Sequence, residues 1–143
     1  MLIGEYSHSI DAKGRVFIPA KFREELGENF IVTRGTEECL FVFSPEAWKE
    51  FAGKLQHIPV TDVEAQKFLR LQFASAMDCT PDKQGRILLP SRLREHAKLE
   101  KEVVAIGVMS RVELWSKEGW EKYNSYGSEE YETALRKLSE LGI

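Results

Sequence analysis

The chain has 143 residues, a formal net charge of −3 and a sequence pI of about 5.7, with 43% hydrophobic and 30% charged residues. This balance indicates a soluble globular protein, and no apolar run reaches the roughly 20 residues that a membrane-spanning helix needs. Because the first residues lack a basic stretch followed by an apolar run, we expect no signal peptide and a cytoplasmic location, and the acidic balance excludes a generic nucleic-acid coat.

Two segments of the chain repeat one another. DAKGRVFIPAKFRE begins at Asp11 and DKQGRILLPSRLRE begins at Asp82, so fourteen positions align without a gap at a constant separation of 71 residues. Such a repeat indicates one supersecondary unit used twice. Since each half of about 70 residues would be marginal as a separate domain, we expect the two copies to complete each other's core.

Each copy predicts the same order of elements. A polar turn with a glycine leads into a short strand, and a proline ends that strand before a short amphipathic helix. Glycine suits the positive φ of a tight turn, while proline is poorly tolerated inside a sheet but fits the first turn of a helix. The predicted strands are 15–18 and 86–89, and the predicted helices are 20–26 and 91–97.

A β-hairpin is predicted next in each copy, because β-branched and aromatic runs flank a polar turn. Its strands are 30–33 and 40–43 in the first copy, and 103–106 and 112–115 in the second. Ser44 and Ser116 then follow as N-caps of helices that carry glutamate in the first turn and a tryptophan. The tryptophans are expected in the core or in an interface.

Two more helices lie outside the copies. The capping box Thr61-Asp62-Val63-Glu64 predicts one between them, and the segment from Ser128 predicts another whose apolar residues suit packing or contact between subunits. We therefore divide the chain into a first unit at 5–48, a linking helical segment at 49–75, a second unit at 76–120 and a C-terminal helix at 121–143.

Positive charge is concentrated in the repeated segments. Each fourteen-residue copy has four basic and two acidic residues, a net charge of +2, so the remainder of the chain carries −7. The basic residues are Lys13, Arg15, Lys21, Arg23, Lys83, Arg86, Arg92 and Arg94. An acidic remainder would discourage an anionic partner from binding elsewhere on the surface.

The repeated Asp-x-x-Gly-Arg motif has two interpretations. It fits a polar hairpin turn in which aspartate caps the backbone and pairs with arginine. It also fits an anion-binding turn, because the planar fork of arginine suits phosphate and guanine edges, with Asp11 and Asp82 orienting Arg15 and Arg86. The duplication favours the second interpretation, since a turn needs only its Gly14 or Gly85 and a turn former to close.

The sequence contains no recognisable enzymatic motif, neither a glycine-rich phosphate loop nor a nucleophile elbow. Cys39 and Cys79 are outside any Cys-x-x-Cys pair and the histidines are scattered, so we expect two buried reduced thiols and no metal site. His8 is expected at the surface or at a strand edge. No cofactor is expected.

Four strings of the sequence closely resemble the MraZ family of bacterial transcriptional regulators, which are built from two AbrB-type DNA-binding units. They are GEYSHSIDAKGRVFIPAKFRE, TRGTEECLFVFSPEAW, DKQGRILLPSRLRE and IGVMSRVELWSKEGW, and the resemblance covers nearly the whole chain. It implies an α+β fold, an internally duplicated swapped-hairpin double-split β-barrel with flanking helices, whose halves pair as a pseudo-dimer. It also implies ring-like homo-oligomers.

The resemblance further implies a sequence-specific DNA-binding regulator, generally a repressor, at the nucleoid. Its site would be short direct repeats in the promoter of the division and cell-wall gene cluster that includes its own gene. The family's signature aspartate and arginine fall on Asp11/Arg15 and Asp82/Arg86. The alternative from another class is an antitoxin-like or assembly protein whose turns pair with an acidic protein partner.

The candidate DNA contacts divide into two groups. Arg15 and Arg86 are the candidates for reading bases, within turns formed by Asp11, Gly14, Asp82 and Gly85. Contacts to phosphate are assigned to Lys13, Lys21, Arg23, Lys83, Arg92 and Arg94. Because Gln84 stands where the first copy has Lys13, we expect the two turns to contribute unequally.

Overall fold

The computed structural model describes residues 1–125 and 127–143, which form antiparallel sheets and helices. The strands are β1 (Glu5–Ser9), β2 (Arg15–Phe17), β3 (Phe30–Arg34), β4 (Cys39–Phe43), β5 (Met77–Cys79), β6 (Arg86–Leu88), β7 (Glu102–Val108) and β8 (Arg111–Ser116). The helices are α1 (Ala20–Leu26), α2 (Pro45–Leu55), α3 (Val63–Ser75), α4 (Ser91–Ala97), α5 (Lys117–Asn124) and α6 (Ser128–Glu140). The predicted α+β class is confirmed.

The strands form a six-stranded sheet of order β1-β7-β8-β4-β3-β5 and a two-stranded ribbon of β2 and β6. Exchanging the copies reverses the order of the large sheet, so the sheet has an internal pseudo-twofold centred on the β4–β8 pair. Each copy gives its first strand to the other. Tyr6 of β1 pairs with Ala105 of β7, and Asp78 of β5 pairs with Ile31 of β3.

The large sheet is open, with β1 at one edge and β5 at the other. Strand exchange between the copies is therefore present, whereas no pairing closes this sheet into a barrel among the described residues. Neither edge strand was predicted from the sequence. Both are short and contain no β-branched residue, and each gains its hydrogen bonds from the opposite copy.

The main core lies between one face of the large sheet, the ribbon and helices α1 and α4. Equivalent residues of the two copies occupy it together, such as Val16 with Ile87 and Phe22 with Leu93. Burying a side chain of this size stabilises the fold by about 1.5–3 kcal/mol. Because both copies fill one core, the expectation that they complete each other is confirmed.

A second core covers the opposite face of the sheet, under α2 and α5. Trp115 is buried there, while Trp48 and Trp120 are half-buried against it. Both helices start at the predicted N-caps, since Ala47 N–H donates to Ser44 Oγ at 3.1 Å and Gly119 N–H donates to Ser116 Oγ at 2.9 Å. The predicted core position of the tryptophans is confirmed.

Helix α3 lies against β3. Thr33 Oγ1 donates to the carbonyl oxygen of Gln72 at 2.6 Å, and Gln72 Nε2 donates to that of Arg34 at 2.8 Å. The helix is present as predicted, but its capping box was placed one residue too early. Asp62 is the N-cap, with its Oδ1 accepting from Ala65 N–H at 3.1 Å, because aspartate caps as well as threonine does.

The remaining sequence predictions concern thiols and membranes. Cys39 and Cys79 are free and buried, and burial raises the pKa of the Cys39 thiol to about 12 and that of Cys79 to about 11, so both stay protonated at neutral pH. His8 lies on the edge strand β1, as expected. Over the described residues, no helix has the length and apolar character needed to cross a membrane.

Candidate nucleic-acid interface

The two Asp-x-x-Gly-Arg turns lie at the ends of the β2–β6 ribbon. One connects β1 to β2 and the other connects β5 to β6, and the ribbon pairs Arg15 with Leu88 and Phe17 with Arg86. The first interpretation of the motif is correct for the aspartate, which caps the turn and pairs with arginine, but the turn does not belong to a hairpin. The strands on either side of each turn pair with the other copy and belong to different sheets, so the turn joins two sheets.

In the first turn, one carboxylate organises the backbone and holds the arginine. Asp11 Oδ1 accepts from the N–H of Lys13 at 3.0 Å and of Arg15 at 2.9 Å, and its Oδ2 accepts from Arg15 Nε at 2.6 Å. The backbone also closes on itself, since Gly14 N–H donates to the Asp11 carbonyl at 3.0 Å. The arginine is thus fixed through Nε.

The second turn repeats this geometry. Asp82 Oδ1 accepts from the N–H of Gln84 at 2.9 Å and of Arg86 at 3.0 Å, and Oδ2 accepts from Arg86 Nε at 2.9 Å. In the described part of the chain, the Nη groups of Arg15 and Arg86 make no hydrogen bond. These groups remain available to a ligand, as bidentate recognition of guanine or phosphate requires.

Both aspartates are held in the charged form. Hydrogen bonds from the backbone N–H of Arg15 lower the pKa of Asp11 below 3.8, and the guanidinium of Arg15 lowers it further. The backbone N–H and side chain of Arg86 lower the pKa of Asp82 in the same way. The carboxylates therefore keep their hydrogen bonds at neutral pH.

The two turns are not equivalent. Arg86 Nη1 lies 3.9 Å from Asp11 Oδ2, across the ribbon, so Asp11 faces both reading arginines. No matching pair of Arg15 with Asp82 lies within 4 Å among the described residues. The Arg15 side chain is 31% exposed and that of Arg86 is 23% exposed. Whether the two turns contribute unequally to DNA binding, as the Lys13 to Gln84 change suggests, stays a prediction.

Each turn glycine is required for two reasons. Gly14 has φ +87° and Gly85 has φ +82°, in the left-handed region that favours glycine. An added Cβ at Gly14 would lie 2.8 Å from Arg94 Nε, and one at Gly85 would lie 2.7 Å from Arg23 Cζ. The side chain against each glycine therefore comes from the other copy.

The six cations assigned to phosphate differ in their surroundings. Four are exposed and have no carboxylate within 4 Å among the described residues, namely Lys13, Lys21, Lys83 and Arg92. Arg92 also borders a small cleft with Arg34 and Leu71. Arg23 and Arg94 are half-buried, and their Nε atoms donate to the carbonyl oxygens of Ile18 at 2.9 Å and Leu89 at 3.0 Å.

Two apolar side chains on the ribbon were not among the predicted site residues. Phe17 is 37% exposed and Leu88 is 59% exposed, and alternation along the strands places them on the same face as Arg15 and Arg86. The spacing in the sequence could have indicated them, because Phe17 and Leu88 each follow a reading arginine by two residues, and residues two apart on a strand share a face. The exposed face of the ribbon therefore presents two arginines between two apolar side chains.

The described residues show no cluster of three or more metal-ligating side chains.

Comparison with known proteins shows which family the chain belongs to. A family model described as "MraZ protein, putative antitoxin-like" matches residues 1–71 and again 72–139, which reproduces the internal repeat.

Full-length relatives carry the name "Transcriptional regulator MraZ". The one from Carboxydothermus hydrogenoformans is 56% identical over 138 residues, which is 96% of each chain. Those from Thermoanaerobacter sp. (strain X514) and Alkaliphilus oremlandii are 54% and 53% identical over 143 residues, covering all of each chain.

Proposed function

Since this chain belongs to the MraZ family, we propose that it is a DNA-binding transcriptional regulator that contacts promoter DNA through its two Asp-x-x-Gly-Arg turns. The relatives are named as transcriptional regulators, and the prediction that the chain is not an enzyme is confirmed by that membership. The observation that carries the proposal is the ribbon itself. Two arginines, each fixed through Nε and with Nη groups that make no hydrogen bond in the described residues, lie on one face of the ribbon.

The ribbon reads bases and the surrounding cations bind the backbone. A two-stranded ribbon fits the major groove, where a bidentate arginine–guanine contact contributes about 1–3 kcal/mol of discrimination. Phe17 and Leu88 suit contact with thymine methyl groups. Lys13, Lys21 and Lys83 supply contacts to phosphate, which are independent of sequence and sensitive to salt.

The oligomeric state, the location in the cell, the target genes and the operator are proposed from the resemblance to the MraZ family. We propose that the chain forms a ring-like homo-oligomer at the nucleoid and represses the division and cell-wall gene cluster that includes its own gene. Its operator consists of short direct repeats, because linked weak contacts raise apparent affinity only where several engage at once. We also propose the swapped-hairpin double-split barrel, with units at 5–48 and 76–120, a linking segment at 49–75 and a C-terminal helix at 121–143.

Binding measurements on single variants test the reading arginines. Arg15→Ala and Arg86→Ala should each weaken binding to a repeated-box duplex by about tenfold to a hundredfold, as expected for loss of a bidentate contact. Both variants should also lower the ratio of the affinity for the repeated-box duplex to the affinity for a scrambled duplex. Lys49→Ala on α2 removes one exposed charge from the opposite face of the sheet and should change neither. Unchanged affinity and preference in both arginine variants would contradict the assignment.

The second candidate is an antitoxin-like protein whose turns pair with an acidic protein partner, and the antitoxin-like description of the matching family model favours it. A salt titration separates the two functions. A DNA regulator making several phosphate contacts loses affinity steeply with salt on its own operator. An antitoxin should instead need its protein partner present before any tight complex forms.

A further inference from the structure

We propose that Arg23 and Arg94 are positioning residues that act across the repeat, each holding the DNA-reading turn of the opposite copy. This inference rests on the proposed function of the turns. It replaces the assignment of these two arginines to phosphate.

Arg23 connects α1 to the second turn. Its Nε donates to the carbonyl oxygen of Ile18 at 2.9 Å, and the N–H of Ile18 donates to the carbonyl oxygen of Gly85 at 3.0 Å. Its guanidinium also lies against Gly85, so closely that an added Cβ there would be 2.9 Å from both Nε and Nη2. Arg23 therefore fixes the residue that directly precedes Arg86.

Arg94 makes the same contacts in the opposite direction. Its Nε donates to the carbonyl oxygen of Leu89 at 3.0 Å, and Leu89 N–H donates to the carbonyl oxygen of Gly14 at 2.9 Å. An added Cβ at Gly14 would be 2.8 Å from Arg94 Nε. The same arrangement is therefore present in both copies of the repeat.

The chemistry requires arginine. The Nε atoms of Arg23 and Arg94 donate to backbone carbonyl oxygens, and both side chains are half-buried. In the described residues, no carboxylate lies within 4 Å of either guanidinium. A planar guanidinium can cover the flat face of a glycine and donate from Nε, whereas lysine is a point charge on a flexible stem. The repeat agrees, because the exposed pair varies as Lys21 and Arg92 while this pair is arginine in both copies.

The arrangement makes each reading turn depend on the helix of the other copy. Fixing Gly85 limits the motion of Arg86 before DNA arrives, and such preorganisation lowers the cost of ordering the side chain on binding. Loss of Arg23 should therefore impair the contribution of Arg86 and spare that of Arg15. Loss of Arg94 should have the reverse effect.

A double-mutant cycle on DNA binding tests this coupling. Arg23→Ala should weaken operator binding by about tenfold in the wild-type and Arg15→Ala backgrounds, and by twofold at most in Arg86→Ala, since coupled neighbours are not additive. Arg94→Ala should show the opposite dependence. If Arg23→Ala weakened operator binding by the same factor in the Arg15→Ala and Arg86→Ala backgrounds, the proposal would be overturned.

Two further readouts separate positioning from phosphate contact. Arg23→Lys keeps the charge and should nevertheless bind as weakly as Arg23→Ala. The salt dependence of Arg23→Ala should match that of the wild type, whereas loss of a phosphate contact would lower the slope by about 0.9. Recovery of affinity by lysine would assign Arg23 to phosphate. Since Arg23→Lys retains the aliphatic stem, it also serves if the alanine variant does not fold.

Hydrogen exchange without DNA tests the contact independently of the proposed function. Arg23→Lys should speed exchange of the Gly85 and Arg86 amides and leave Gly14 and Arg15 unchanged. No change at Gly85 would overturn the inference whatever the DNA result. If Arg15→Ala and Arg86→Ala leave binding intact while exchange changes as expected, the contact exists and the DNA-reading function fails.

Discussion

At the scale of single residues, each turn uses its aspartate twice. The carboxylate accepts two backbone N–H groups and one guanidinium Nε, so the same hydrogen bonds that close the turn also set the direction of the arginine. Aspartate in this position therefore orients Arg15 and Arg86 and leaves their Nη groups for a ligand.

The turn aspartates should make the stability of the protein depend on pH only in acid. Because the pKa values of Asp11 and Asp82 are lowered in the folded state, their contribution is present above the unfolded value near 3.8 and is lost as pH falls through the depressed values. The double variant Asp11→Asn/Asp82→Asn should therefore be less stable than wild type at pH 7, and the difference should shrink below about pH 4. Urea unfolding from pH 3 to 7 measures it, and a difference that grows in acid would contradict this account.

Two glycines allow the contact with Arg23 to be separated from backbone strain. Gly85 and Gly27 have nearly the same φ, +82° and +86°, but an added Cβ at Gly27 meets nothing within 4 Å. Gly27→Ala should cost about 1–3 kcal/mol from strain alone, because a φ of +86° with a ψ of −170° is nearly restricted to glycine. Gly85→Ala should cost more and should weaken DNA binding, since Arg23 must move. Equal losses of unfolding free energy and equal DNA affinity in the two variants would exclude a role for the contact.

At the scale of elements, strand exchange ties the halves together. Without the second half, β1 has no partner strand, and the second half alone leaves β5 unpaired. Separately expressed segments 1–71 and 72–143 should not give folded monomers, because each also loses half of the shared core. Sedimentation and circular dichroism test this. A monomeric half with native helix and strand content would contradict it, and mixing the halves should restore the fold.

The elements that sequence reasoning located are those with local signals. Helices α1 and α4 were predicted at their observed bounds, since Pro19 and Pro90 mark their starts and apolar residues follow at helical spacing. Strands β1 and β5 were missed because EYSHS and MDC are short and contain no β-branched residue, so they lack the local signal of a strand. The same limit applies to the candidate site. The Asp–Arg pairs were predicted from local spacing, but the contacts of Arg23 and Arg94 depend on which turn lies across the ribbon.

At the scale of the whole molecule, α6 is the element without a place in either core. Its residues Tyr131, Leu135 and Leu138 are 56%, 45% and 42% exposed, although they share one face of the helix. The sequence predicted a packing or subunit-contact helix, and packing on its own chain buries none of its residues. We therefore propose that α6 contacts another subunit in the proposed oligomer.

Substitutions on α6 test that assignment. Leu135→Glu/Leu138→Glu should reduce the molar mass measured by light scattering, because burying two carboxylates in an apolar contact is costly. It should also weaken binding to repeated boxes by about a hundredfold while leaving a single box unchanged, as expected for loss of avidity. Arg136→Ala lies on the opposite face of the helix and serves as the control. An unchanged mass in the leucine variant would exclude α6 from the contact.

If the two arginine turns recognise repeated promoter sequence, footprinting of the DNA upstream of the chain's own gene should depend on them. Wild type should protect evenly spaced direct repeats, and Arg15→Ala/Arg86→Ala should protect none of them at the same concentration. Protection of the same repeats by the double variant, or protection without a repeated spacing, would contradict that recognition.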